Sequence, residues 1–159
     1  MEASIFHLIG QKYDIDPRLL FAIALNESGR NHEKGYITPH PYVFRTYDGA
    51  HYFDSVATAS APLLARLKKT TNIDIGMMQI NLRYHPVDDP LRLLEPVFNL
   101  EIAAKYLKKT LSSTNDSILG IGRYHSWKPL RARWYGRKVN GTYLNLQKVF
   151  PLQKLDETK

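Results

Sequence analysis

Residues 19–25, Leu-Leu-Phe-Ala-Ile-Ala-Leu, form an unbroken apolar run that leads into Asn26, Glu27, Ser28 and Gly29. At helical spacing Leu20, Ile23, Ala24 and Glu27 fall on one stripe. A helix with that stripe must bury it, and burial carries a carboxyl into apolar surroundings. Desolvation disfavours the charged form and raises the pKa. Gly29 reads as the helix stop, so Glu27 also lies near the negative end of the helix dipole, which acts in the same direction. A carboxyl held protonated near neutral pH can donate a proton to a leaving group. The alternative is an acid at the edge of the stripe whose head reaches water or a basic partner, the commoner arrangement for ionisable residues.

Around this segment the chain reads as mostly helix. Ile5, Leu8, Ile9 and Tyr13 predict a helix over 4–13. Asp16 and Pro17 then cap and start the second helix. Pro39 and Pro41 forbid a helix in 30–54. Val43–Tyr47 and His51–Phe53, separated by Asp48-Gly49, predict a small β-hairpin that interrupts a helical domain. Asp54-Ser55 caps a third helix with Val56, Leu63, Leu64 and Leu67, which Pro62 kinks or delays. Residues 72–81 alternate like a strand over a very short span. Pro96 opens a helix with Val97, Leu100, Ala103, Ala104 and Leu107 on one face, and 118–124 form a short apolar helix. Another begins at Ser126–Pro129 and reaches Val139, weakened by Gly136. A last segment holds Tyr143, Leu146, Val149 and Phe150. The expected organisation is one domain over 1–150 and a polar tail over 151–159.

Composition narrows the chemistry. The 159 residues carry a net charge of +7, which suits an anionic partner such as nucleic acid, an acidic membrane face or cell-wall polymer. Arg131, Arg133, Arg137 and Lys138 are the densest basic cluster, read as a solvated helix face or a contact to wall polymer, with no nucleic acid expected. The absence of cysteine removes disulfides, zinc–thiolate sites and thiol nucleophiles. The six histidines show no pair at helical metal-ligand spacing, so neither a metal nor a cofactor is expected. No apolar run approaches the roughly 20 residues of a membrane span. No signal-peptide pattern is visible, which fits a cytosolic chain or the trimmed form of an exported one.

Glu27 needs company to act. Ser28 could bond its carboxyl or a bound substrate, or simply close the helix. In Gly76-Met77-Met78-Gln79-Ile80-Asn81, Gln79 and Asn81 point the same way in extended chain, toward an acetamido or hydroxyl group of a ligand. Tyr124 offers a phenol that could bond a carboxyl or pack in the core.

In order along the chain, Glu27-Ser28, then 76–81, then Asn99-Leu100-Glu101-Ile102-Ala103-Ala104-Lys105-Tyr106-Leu107, then Gly122-Arg123-Tyr124-His125-Ser126 resemble the motifs of the soluble lytic transglycosylase family. The resemblance spans about 4–150 and implies a mainly α, lysozyme-like helical domain with a small β-hairpin insertion. The Asp74-Ile75-Gly76 lead-in, the Tyr-rich hairpin and Arg123–Ser126 most resemble members encoded with conjugation and type IV secretion machinery. Many relatives have Tyr-Asn-Ala-Gly where this chain has Tyr124-His125-Ser126-Trp127, and the simplest members lack the hairpin.

The resemblance implies a periplasmic or cell-envelope enzyme acting on peptidoglycan, with secretion or conjugation components as possible partners. Glu27 is then the catalytic residue. Ser28, Met78, Gln79, Asn81 and Tyr124 belong to the substrate groove, and Tyr124 orients Glu27. Asp74 is expected to be structural, bonding backbone before a short turn. If it faced the cleft it could hold a water for a muramidase-type hydrolase. A non-catalytic wall-binding or assembly module is the third reading.

Overall fold

The computed structural model describes residues 4–152. The first helix, α1 (Ile5–Tyr13), turns through Asp14 in the left-handed region into α2 (Pro17–Ser28). α1 buries Phe6, Ile9 and Gly10 and leaves Leu8 58% exposed, a face rotated from the expected one. Asp16 caps α2 by accepting the Arg18 N–H at 2.9 Å, as its sequence position predicts. Leu20, Ile23 and Ala24 are fully buried.

α2 ends at Ser28, one residue after Glu27. Gly29 does not adopt the left-handed cap conformation; its φ is −56° and it enters a strand. The glycine is needed for close approach instead, since a Cβ there would stand 2.2 Å from the Leu25 carbonyl oxygen. That strand, β1 (Gly29–Asn31), pairs antiparallel with β2 (Ile37–Pro39), a ladder not expected from the sequence.

The hairpin of β3 (Val43–Thr46) and β4 (Gly49–Tyr52) is present, with Tyr47-Asp48 as the loop rather than Asp48-Gly49. Gly49 pairs with Thr46 and supplies the positive φ of 110° that the turn requires. The hairpin is not a free-standing insertion. β3 also pairs with β5 (Asp74–Ile75), which pairs with β6 (Ile80–Asn81), giving one antiparallel sheet in the order β4-β3-β5-β6. Before it returns to β5, the chain forms α3 (Val56–Leu67), which carries Pro62 in its interior and a Ser55–Thr58 capping box at its start.

A 3₁₀ turn over Pro90–Leu94 leads into α4 (Pro96–Ser112), whose Leu100, Ala103, Ala104 and Leu107 are fully buried. α5 (Ser117–Gly122) is capped by Asp116. α6 (Pro129–Val149) is one continuous helix, where the sequence suggested two segments. Gly136 explains the difference. In isolation it weakens a helix by about 1 kcal/mol. Here it lets α6 lie against α5, because a Cβ would sit 2.0 Å from the Ile118 carbonyl oxygen. Gly122 on α5 meets Ala132 on α6 in the same way. The result is the expected mainly α, lysozyme-like fold with a small antiparallel sheet. Among the described residues no helix is long and apolar enough to cross a membrane. Pro151 and Leu152 are exposed, and the rest of the expected polar tail lies outside the described residues.

One buried side chain ties sheet to helices. Asn99, in the first turn of α4, is fully buried and accepts the Met78 N–H at 2.8 Å. Its amide donates to the Ile75 carbonyl at 2.9 Å and the Leu93 carbonyl at 2.8 Å. Replacing it strands three buried backbone groups, each costing about 1–3 kcal/mol. Asn99→Ala is therefore expected to lose at least about 3 kcal/mol in denaturant unfolding, while Asn115→Ala, on an exposed loop, is expected to stay near wild type.

Candidate active site

α2, the sheet, the loop after β6, the middle of α4 and the α5–α6 junction line a cavity of about 1010 Å³. Glu27 reaches it from the last turn of α2, Arg45 from β3, Asp74 from β5, Asn81 from β6 and Gln79 from the turn between the last two. That turn is held open by Gly76 at φ 79° and by Gln79 itself at φ 51°. Gly76 has no room for a Cβ, which would meet the Asn99 amide at 2.3 Å. The Gln79 amide donates to the Gly76 carbonyl at 2.9 Å, which spans the turn.

The far wall is aromatic. Tyr84, His85, Tyr106, Tyr124 and Trp127 line it. The Trp127 indole N–H donates to the Tyr106 hydroxyl at 2.8 Å, and the Tyr106 ring lies 4.4 Å from His85 and 5.8 Å from Tyr124. Such faces suit the apolar sides of sugar rings, with hydroxyl and amide groups left for orientation.

Glu27 occupies the deep part of this cavity. Tyr135, buried on α6, donates its hydroxyl to Glu27 Oε1 at 2.5 Å. Burial is the main influence on the carboxyl and lifts it from the ordinary 4.5 to about 7. The Tyr135 bond opposes that rise, the negative charge of Asp74 adds to it, and the cations Lys138 and Arg45 oppose it. The same burial, with Glu27 as neighbour, pushes the Tyr135 phenol well above its usual range. The imidazole of His125 stacks on the Tyr135 ring at 4.7 Å with the planes 8° apart, walling the pair from one side.

Tyr124 does not hold Glu27. Its hydroxyl donates to the Met78 carbonyl at 2.8 Å, so it braces the Gly76–Gln79 turn while its ring faces the cavity. Tyr135 is the phenol that sequence reasoning missed. The available signal was a tyrosine on the Ala132, Gly136, Val139 face of a helix, where small and apolar neighbours leave a hydroxyl in need of a partner.

Two other expected groove residues sit beneath the cavity wall rather than in it. Ser28 is buried; it donates to the Met77 carbonyl at 2.7 Å and to the Ala24 carbonyl at 3.2 Å, and accepts the His40 N–H at 3.1 Å. Met78 is fully buried in the core. The β5–β6 turn directs the Met78 side chain inward while Gln79 and Asn81 turn outward.

Asp74 faces the cavity. It accepts the Asn81 amide at 3.0 Å instead of a backbone N–H, and it stands in register with Arg45 on β3. Burial raises its carboxyl, opposed by the Asn81 bond and the charge of Arg45.

The raised carboxyl of Glu27 makes folding pH-dependent. Its folded-state pKa lies above the unfolded value, so its contribution is fully present below about 4.5 and is lost as pH rises through about 7. The difference amounts to about 3 kcal/mol. Glu27→Gln is expected to flatten this decline in pH-dependent thermal unfolding and to exceed wild type in stability above pH 7. Tyr135→Phe removes a donor to the carboxylate and is expected to raise the Glu27 pKa further, read by NMR titration of the side-chain carbon.

Residues 4–143 match the Transglycosylase SLT domain family. No curated protein and no solved structure matches the chain in the corresponding comparisons. The family's reaction is lytic transglycosylation of peptidoglycan. The match covers nearly the whole described chain, and the protein belongs to the SLT transglycosylase family.

Proposed function

We propose that the chain cleaves the β-1,4 bond between N-acetylmuramic acid and N-acetylglucosamine with Glu27 as the single acid and base. The observation that carries this reading is a carboxyl in the cavity whose pKa is lifted to about 7 by burial and whose oxygen is held by Tyr135. A group with that pKa is both a competent donor and a competent acceptor near neutral pH.

The steps follow. Protonated Glu27 gives its proton to the glycosidic oxygen as the C1–O bond breaks. The carbonyl oxygen of the muramoyl 2-acetamido group closes on C1 and carries the positive charge. Glu27, now a carboxylate, takes the proton of the muramoyl 6-hydroxyl. The 6-oxygen bonds to C1, the acetamido oxygen leaves, and a 1,6-anhydro ring results without consumption of water. Tyr135 holds the carboxyl through both transfers. Gln79 and Asn81 line the cavity, and we assign them to acetamido and hydroxyl groups of the substrate, with Tyr106, Tyr124 and Trp127 as the faces for sugar rings.

The resemblance of Asp74–Gly76, the Tyr-rich hairpin and Arg123–Ser126 to members encoded with secretion and conjugation machinery supports a local wall-opening role in the cell envelope. A second reading has one observation in its favour. Asp74 shares the cavity with Glu27, and its charge reaches that carboxyl. Ionised Asp74 could activate a water against C1 and turn the reaction into hydrolysis.

Mass analysis of digested wall separates the two. Transglycosylation is expected to give 1,6-anhydro ends, whereas reducing ends abolished by Asp74→Asn would establish the hydrolase. Glu27→Gln is expected to lower product formation by at least about 10³-fold while remaining folded. Retained lysis in that variant would reject Glu27 as the acid.

A further inference from the structure

The cavity around Glu27 carries three cations that a neutral sugar chain does not require. Arg45 stands on β3, and Lys128 and Arg131 stand at the start of α6; all three are exposed at the cavity's edge. Among the described residues none of the three forms an ion pair. By contrast Arg18, Arg66 and Arg133 are each bound to an aspartate at 2.7–2.8 Å. Only two acids line the cavity, Glu27 and Asp74, so its walls stay positive even with both ionised.

Arg45 also works against the acid it faces. Its charge favours the ionised forms of Glu27 and Asp74 and opposes the rise that burial produces. For proton donation to an uncharged glycan, the cleft would be better without it. A positive rim beside a general acid makes physical sense where the substrate brings negative charge, which draws the ligand in and neutralises the cations once bound.

We propose that Arg45, Lys128 and Arg131 form a carboxylate-recognition rim that selects glycan strands bearing anionic groups on the 3-O-lactyl branch of N-acetylmuramic acid. The proposal rests on the transglycosylase reading and names which strands that site takes. The carboxylates have two sources: the free lactyl group, or the stem peptide joined to it. Because the rim is solvent-exposed each contact is weak, and three together are expected to give about a tenfold preference at low salt.

Binding to Glu27→Gln, measured by calorimetry, keeps recognition apart from turnover. The ligands are strands with stem peptides, strands stripped by an amidase to the free lactyl acid, and chitooligosaccharides of equal length, which lack the branch. Either anionic strand is expected to bind about tenfold more tightly than the chitooligosaccharide at low ionic strength, with the gap closing in 0.5 M salt, roughly three times closer Debye screening than at 0.05 M. Tighter binding of the peptide-bearing strand assigns the stem carboxylates as the source; tighter binding of the stripped strand assigns the lactyl carboxylate, which the stem converts to an amide; equal binding means that the rim accepts either carboxylate. Arg131→Gln and, separately, Arg45→Gln are each expected to shrink the preference to about fivefold, the double variant to about twofold, and Arg131→Lys to keep most of it.

Arg45→Gln adds an independent readout. With that cation gone, the alkaline limb of kcat/KM is expected to move to higher pH, since kcat/KM reports the free enzyme's acid. Equal, salt-insensitive binding of all three ligands, or an unchanged preference in both glutamine variants, overturns the rim. If wild type makes no product from any strand, the catalytic reading fails, and the binding measurements still decide the rim.

Discussion

The three hydrogen bonds of Asn99 set the geometry on which the rest depends. They join the Gly76–Gln79 turn, the 3₁₀ turn and the first turn of α4 through one buried amide. A fully buried amide is tolerated only when its donors and acceptors are paired. Each partner is therefore constrained by the same side chain. Gly76 is drawn in so closely that no other residue fits, and its positive φ turns the chain back into β6. That reversal points Gln79 and Asn81 into the cavity and Met78 into the core. Tyr124 then braces the turn from α5's end through the Met78 carbonyl. The cavity floor is thus a consequence of satisfying backbone polar groups.

Against that floor, α2 delivers a carboxyl with little water around it. Four influences compete there. Burial raises the pKa and dominates; the Tyr135 bond and the cations lower it; Asp74 raises it. The balance falls near neutrality because no single opposing group is in direct ionic contact with the carboxyl. A salt-bridged glutamate would be held ionised and useless as a donor, whereas a wholly unpartnered one would lack a fixed direction. A phenol gives direction with little charge compensation. The close packing of α5 on α6 matters here too, since Gly122 and Gly136 let α6 bring Tyr135 to within hydrogen-bonding reach of α2.

Much of the architecture was legible because it rests on local rules. Asp16-Pro17, Ser55 and Pro96 start helices for reasons confined to one turn. The apolar stripe of α2 put Glu27 on a face bound for the interior, with a head reaching water or a basic partner as the alternative, and the structure decided for a poorly hydrated carboxyl. Where reading failed, non-local contacts had overridden local preference. Gly136 looks like a weakness in a helix until Ile118 is placed against it. Asp48-Gly49 looks like the centre of a turn until the register of β3 on β4 moves it by one residue. Ser28 and Met78 each lie beside a residue that faces the cavity, but the rotation of the last turn of α2 aims Ser28 at the Met77 carbonyl, and the β5–β6 turn sends Met78 to the side opposite Gln79.

The amino-acid order by itself determined the helix starts, the apolar stripe on which one acid falls and the basic balance of the surface. These follow from propensity, periodicity and charge, which need no partner elsewhere in the chain. Only the tertiary structure decided that Tyr135 rather than Tyr124 holds Glu27, that Asp74 turns toward the same cavity, and that the hairpin joins the Met-Gln turn in one sheet. Each of these depends on a contact across 29 or more positions of sequence, whose distance and direction are set by packing and by the pairing of buried polar groups.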